Sequence, residues 1–200
     1  MAEETTRIFT EVLADHAALV ERCRDQLAAP FERLAETAAA TVNAGGKLLL
    51  FGNGGSAADA QHIATELVVR FTVERAPVAA LALTTDTSAL TAIPNDLGAD
   101  RLFARQIAAL GRPGDLALGI STSGRSANVN TALGVAREMG LRAAALTGRD
   151  GGDLPGLADP CLVVPSDNTA RIQEMHITLG HMLCAALERK LGLVPGGGEG

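Results

Sequence analysis

His62 and Glu66 stand four residues apart in the stretch Lys47-Leu-Leu-Leu-Phe-Gly-Asn-Gly-Gly-Ser-Ala-Ala-Asp-Ala-Gln-His-Ile-Ala-Thr-Glu66, which runs from an apolar segment through a glycine turn into a helix-forming sequence. Positions four apart stack on one helical face, so an imidazole and a carboxylate project side by side. Such a pair can take up and return protons. The turn before it, Gly52-Asn53-Gly54-Gly55-Ser56, opens the helix, where free backbone N–H groups and the positive end of the dipole suit an anion. An acid–base pair beside an anion cradle describes a reaction site.

Two more polar loops follow apolar runs: Thr84-Thr85-Asp86-Thr87-Ser88 and Ser121-Thr122-Ser123-Gly124-Arg125-Ser126. A hydroxyl-rich loop opening a helix binds phosphate without a lysine. The same residues also serve as ordinary N-caps and turns, and both readings stand for each loop. Gly52 to Ala57 fits G-x-G-x-x-A, the dinucleotide fingerprint, but Glu74 precedes the second apolar run and Asp86 lies beyond the usual spacing for a ribose-binding acid. A nicotinamide enzyme is therefore the less favoured reading. Near the C-terminus, Arg171-Ile-Gln-Glu-Met-His-Ile-Thr-Leu-Gly-His181 puts Gln173, Glu174, His176 and His181 on an otherwise apolar helix. Buried polar groups need partners. His16 and His176 read as satisfied core or surface residues, whereas His181, with Met182, Leu183, Cys184 and Leu187 burying the helix around it, is expected to meet His62 and Glu66.

The positioning elements follow from hydrophobic periodicity. Phe9 to Leu27 recur at helical spacing, Pro30 is expected to interrupt, and a second helix stops at Gly45-Gly46. Apolar runs at Val78 to Leu83, Asp115 to Ile120, Arg142 to Thr147 and Cys161 to Val164 join the first one as short buried strands. Continuous apolar strands separated by helices imply a parallel sheet covered on both faces, with ligands at the carboxyl ends of the strands. A last helix is expected from about Thr169 to Leu191. Residues 1–194 read as one domain and 195–200 as a flexible tail.

Composition narrows the partners. A chain of 200 residues, 47% hydrophobic, fills one core, and a net charge of −6 argues against a nucleic-acid face. Cys23, Cys161 and Cys184 are odd in number and far apart, which indicates neither a disulfide framework nor a thiolate metal site and points to a reducing cytoplasm. No stretch approaches the roughly 18 apolar residues of a membrane span.

Five blocks now become specific: GNGGSAADAQH at 52–62, TTDTS at 84–88, ISTSGRSANV at 120–129, LTGRDGG at 146–152 and ARIQEMH at 170–176. Together they resemble the phosphoheptose isomerases, a branch of the sugar isomerase (SIS) domain family, over about residues 30 to 190. The resemblance implies an α/β three-layer sandwich, flavodoxin-like, with a five-stranded parallel sheet and N-terminal helices. It also implies a homotetramer with sites at subunit interfaces, and conversion of D-sedoheptulose 7-phosphate to D-glycero-D-manno-heptose 7-phosphate. By the same resemblance Asn53, Gly54, Gly55 and Ser56 with Ser121, Thr122, Ser123 and Ser126 would hold phosphate and sugar. Asn95, Asp96 and Gln173 would lie near the substrate, and His62, Glu66, Gln173 and His181 would bind one zinc ion per subunit. Ala170 departs from relatives that carry an aspartate there.

Aldose–ketose isomerisation moves a proton between adjacent carbons through an enediol, so it needs a base, an acid or metal at the carbonyl, and a fixed phosphate. Glu66 is the expected general base and His181 the second acid–base group. A non-catalytic SIS sensor of sugar phosphates, or a replication-initiator-binding member, would need the phosphate loops but no acid–base pair. A SIS isomerase for another sugar phosphate would as a rule lack the zinc set. A metal-free hydrogen-bonded cluster of the same polar groups is the alternative to zinc.

Overall fold

A computed structural model describes residues 2–194; the expected tail at 195–200 lies outside the described residues. The chain order is α1 (Ala2–Asn43), β1 (Leu48–Gly52), α2 (Gly55–Val68), β2 (Ala80–Ala82), α3 (Thr87–Leu97), a 3-10 turn (Ala99–Arg101), α4 (Leu102–Leu110), β3 (Leu116–Ser121), α5 (Ala127–Glu138), β4 (Arg142–Gly148), α6 (Leu154–Leu157), β5 (Cys161–Val164) and α7 (Thr169–Lys190).

Five strands pair in the order β2-β1-β3-β4-β5, all parallel, which is the flavodoxin-like winding. Alternation along β1 splits the core in two. Leu48 and Leu50 pack with Leu19, Leu34, Ile63, Leu67, Leu179 and Leu183 from α1, α2 and α7. Leu49 and Phe51 face the other way, toward Phe103 and Ile107 of α4 and Val129 and Leu133 of α5. A strand buried on both sides has no polar face to show, which is why the strands read as unbroken apolar runs.

The break expected at Pro30 does not occur. α1 runs unbroken for 42 residues with Pro30 inside it. Proline removes one helical N–H donor, but Leu27 and Leu34 on either side are buried in the same core, and that packing outweighs one lost hydrogen bond. The expected stop at Gly45-Gly46 is present: Gly45 takes a positive φ of 79°, and its N–H and that of Gly46 close the helix on Val42 and Thr41 carbonyls. The second strand is shorter than its apolar run because only Ala80–Ala82 reach register with β1.

Candidate active site

In this winding the crossovers diverge between β1 and β3, and in such sheets ligands bind beyond the carboxyl ends of the strands at that switch point. The glycine loop leaves β1 there and the hydroxyl loop leaves β3, because Gly52 pairs in register with Ile120. Asn53 and Asn128 tie the glycine loop to the first turn of α5 by a reciprocal amide pair at 2.8 and 2.9 Å. Neither α2, whose N-cap is Gly54, nor α5, whose N-cap is Ser126, is capped by a side chain. Ser56 and Ala57 donate to the Asn53 and Gly54 carbonyls and Val129 to that of Ser126, so the N–H groups nearest each start, those of Gly55, Ala127 and Asn128, are the ones with no helical carbonyl to meet, and both starts follow the carboxyl ends of β1 and β3.

Each loop is shaped by close backbone contact. A β-carbon at Gly52 would lie 2.6 Å from the Ile120 carbonyl and 2.8 Å from Ser56 Cβ, so only glycine lets β1 turn here. Ser56 is consequently buried under the loop, while Asn53, Gly54 and Gly55 are exposed. Gly124 adopts φ +66°, and a β-carbon there would sit 1.9 Å from the Gly151 carbonyl. This wedges the hydroxyl loop against residues 148–153, where Asp153 donates its N–H to the Gly124 carbonyl at 3.0 Å. Ser121 Oγ and Ser126 Oγ share a 3.0 Å bond across the loop. Thr122 and Ser123 are half-buried. Arg125 pairs with Asp150 by two bonds of 2.9 and 2.6 Å, which leaves the hydroxyls and N–H groups of the loop as its other donors. The bidentate Arg125 bond holds the Asp150 carboxyl down to about 2.

α2 and α7 carry the expected acid–base groups, Glu66 and His181. A β-carbon at Gly180 would lie 2.5 Å from Ile63 Cδ1, so the glycine lets the helices touch. His62 Nε2 and His181 Nε2 consequently meet at 2.8 Å, one donating to the other, and Glu66 Oε1 lies 3.5 Å from His62 Nε2. Phe71 stacks on the His181 ring with centroids 5.6 Å apart. Gln173, two turns before His181, lays its amide over Gly55: a β-carbon there would be 2.5 Å from Nε2. Gln173 thus joins the glycine loop to α7, while no hydrogen bond links it to the histidine pair.

Other sequence readings sort differently. Asn95 donates to Asp96 at 2.7 Å and both are exposed on α3, so one chain does not bring them into hydrogen-bond contact with the loops. Thr84 braces α2, its carbonyl accepting from Gln61 and its hydroxyl donating to Ala57, and Asp86 is the ordinary N-cap of α3. His176 is fully buried against the Thr147 carbonyl at 3.0 Å, and His16 pairs with Glu174 at 2.8 Å. Met182, expected inside, is 46% exposed because it faces an apolar cavity between α1 and α7.

A family model described as the SIS domain matches residues 12–148. The chain is 59% identical over 176 residues to a phosphoheptose isomerase from Paramagnetospirillum magneticum, covering 88% of this chain and 92% of that one. The structure of phosphoheptose isomerase GmhA from Neisseria gonorrhoeae superposes with a TM-score of 0.87 at 44% identity, over 92% of this chain and 99% of that chain. A phosphoheptose isomerase from Francisella tularensis gives 0.89 at 35% identity, over 92% and 98%. The chain belongs to the phosphoheptose isomerase branch of the SIS domain family.

Three features of this family member escape sequence reading. Asp59 stands one turn before His62 with Oδ2 buried and unpartnered; burial pushes its carboxyl up to about 6 against the lowering pull of His62. Its i, i+3 spacing from His62 was the available signal. Asn128, the partner of Asn53, is 75 residues away and gave none. The third is a buried ion pair, Arg75–Glu188, beneath the histidines. Ala170 is exposed in the first turn of α7, its N–H bonded to Asn168, and its methyl supplies no substitute for a carboxylate.

The fit to a metal rests on the donors. Two imidazole nitrogens and a carboxylate oxygen converge, a set that suits zinc. Among the described residues no group of three His, Cys, Asp or Glu side chains is arranged to hold a metal ion as it stands. Tetrahedral zinc with bonds near 2.0–2.1 Å separates its nitrogens by about 3.3 Å, so the 2.8 Å histidine pair need open by only about half an ångström. The residues fit.

Proposed function

We propose that this protein is an aldose–ketose isomerase that converts D-sedoheptulose 7-phosphate into D-glycero-D-manno-heptose 7-phosphate. The observation that carries the reading is the meeting of His62, Glu66 and His181 beside two uncapped helix starts at the β1/β3 switch point.

The phosphate seats on the N–H groups opening α2 and α5 and on the hydroxyls of Ser121, Thr122, Ser123 and Ser126, which fixes the sugar chain relative to α7. Glu66 removes the C1 proton of the ketose, the electron pair forms the enediol, and the proton returns to C2. His181 carries the matching proton between the two oxygens, so no redox partner is required. Zinc, one ion per subunit held by His62, Glu66, Gln173 and His181, supplies a Lewis acid for the carbonyl when bound. Glu66 belongs to both sets, and its two oxygens allow one to face each way.

The assembly we infer is a homotetramer with sites completed between subunits. Ile8, Phe9 and Leu13 are 55%, 65% and 53% exposed toward the start of α1, and further along the same helix an apolar cavity of about 420 Å³ is lined by Val20, Leu27, Phe31, Met175 and Met182. A second patch, Val68, Val69 and Leu81, flanks the edge strand. Two separate patches support two kinds of contact, as a dihedral tetramer requires. The three cysteines are unpaired, which supports a reducing, cytoplasmic setting.

Purified protein is expected to convert the ketoheptose phosphate to an aldoheptose phosphate of equal mass without nucleotide, and Glu66→Gln should lower turnover at least ~10²–10⁴-fold while leaving the melting curve in place. Turnover confined to a different ketose phosphate overturns the substrate. Zinc is tested by elemental analysis after dialysis: the parent should retain about one ion per chain, and His181→Ala should retain less.

A further inference from the structure

Between α2 and β2 the chain crosses residues 69–79 without regular structure, and this crossing is tied down from inside. Arg75 is 1% exposed at its side chain. Its Nη2 donates to the Glu66 carbonyl at 2.8 Å, its Nη1 to the Leu67 carbonyl at 2.7 Å, and its Nε to Glu188 Oε1 at 2.9 Å. Glu188 also accepts from the Phe71 N–H at 3.2 Å and from the Thr72 hydroxyl at 2.7 Å. Burial alone would raise its carboxyl, but the Thr72, Arg75 and Phe71 donors outweigh burial and hold it below the ordinary value.

The placement is specific. Glu188 lies seven residues after His181 on α7, two turns along the same face at ~100° per residue. Arg75 grips the carbonyl of Glu66 itself. One guanidinium thus joins the end of the helix carrying His62 and Glu66 to the helix carrying His181, and the loop so held presents the Phe71 ring to the His181 imidazole at 5.6 Å. A buried ion pair adds little stability over apolar packing, whereas directional bonds that join two helices and one loop define a geometry.

We propose that Arg75 and Glu188 are positioning residues for catalysis, which set the separation of α2 and α7 and, through Phe71, the orientation of the His181 ring against His62 and Glu66. The inference rests on the isomerase reading for its kinetic readout alone. Neither residue touches substrate; both act through His181.

The test compares the parent enzyme with Phe71→Leu, Phe71→Tyr and Arg75→Lys. Histidine ring resonances in ¹H–¹⁵N spectra report the stack directly. Phe71→Leu should shift the His181 ring signals and lower kcat about 10–10²-fold, as a misplaced catalytic group does, with KM and melting temperature near the parent's. Phe71→Tyr keeps a ring and should restore both. Arg75→Lys keeps the charge but cannot span Glu66, Leu67 and Glu188 together, and should move the same His181 signals. Unchanged His181 signals in Phe71→Leu and Arg75→Lys overturn the proposal, as do shifted signals with parental kcat. A wrong substrate shows instead as an inactive parent, and the resonances then decide the positioning claim.

Discussion

Gly55 illustrates how one missing methyl group shapes the chemistry. Its neighbour, the Gln173 amide, is the far end of a flexible side chain, so Gly55→Ala displaces Gln173 rather than backbone. The expected result is a stable protein, within about 1 kcal/mol of the parent by thermal melting, whose activity falls because the amide leaves the loop. A drop in melting temperature with unchanged activity would remove Gln173 from the site. Gly124 differs in kind, since its φ of +66° and a backbone oxygen 1.9 Å from where a methyl group would stand leave no cheap adjustment. These glycines were visible as letters in the sequence. Which contacts they permitted was not, because the neighbours lie far along the chain.

At the level of elements, the contact of α2 with α7 decides whether His62 meets His181. Gly180→Ala would drive a methyl into Ile63 and force the helices apart, an overpacking cost of about 1–3 kcal/mol. Activity should fall more steeply than stability, and a chemical-denaturation series beside kcat checks both. α7 also carries His176, whose ionisation burial depresses from 6.5 to about 4 despite the favourable Thr147 carbonyl. Below pH 6.5 the unfolded imidazole binds a proton that the folded one refuses, so stability falls as pH falls, and the loss is complete near pH 4. The gap between 6.5 and about 4 corresponds to about 3 kcal/mol. His176→Asn should flatten that part of the stability profile relative to the parent, measured by urea unfolding at stepped pH. An identical slope in both proteins would assign the acid sensitivity elsewhere.

The whole molecule is dominated by α1, whose residues 3–15 are exposed. Its outer half is nevertheless anchored: Arg171 donates to the Val12 carbonyl at 2.8 Å, and His16 reaches Glu174. An ordered helix with exposed Ile8, Phe9 and Leu13 calls for a covering surface, and in the proposed tetramer a second copy would supply it. Phe9→Glu should therefore convert a tetramer to a smaller species in light scattering, with little effect on the fold of each chain. A monomeric parent with full activity would show that every site is complete within one chain.

Sequence alone determined the layers and the site's two halves. Unbroken apolar runs between helices dictate a parallel sheet buried on both faces, and the i, i+4 spacing of His62 and Glu66 after a glycine turn fixes their shared face, because these are local consequences of backbone geometry. Tertiary structure decided the rest. It set the order β2-β1-β3-β4-β5, which puts the switch point between the glycine and hydroxyl loops. It carried α1 through Pro30, where burial on both sides outweighs one lost donor. It brought His181 within 2.8 Å of a histidine 119 residues away and fastened both helices through Arg75 and Glu188. Those contacts are made by packing between distant segments, which periodicity and spacing along the chain do not encode.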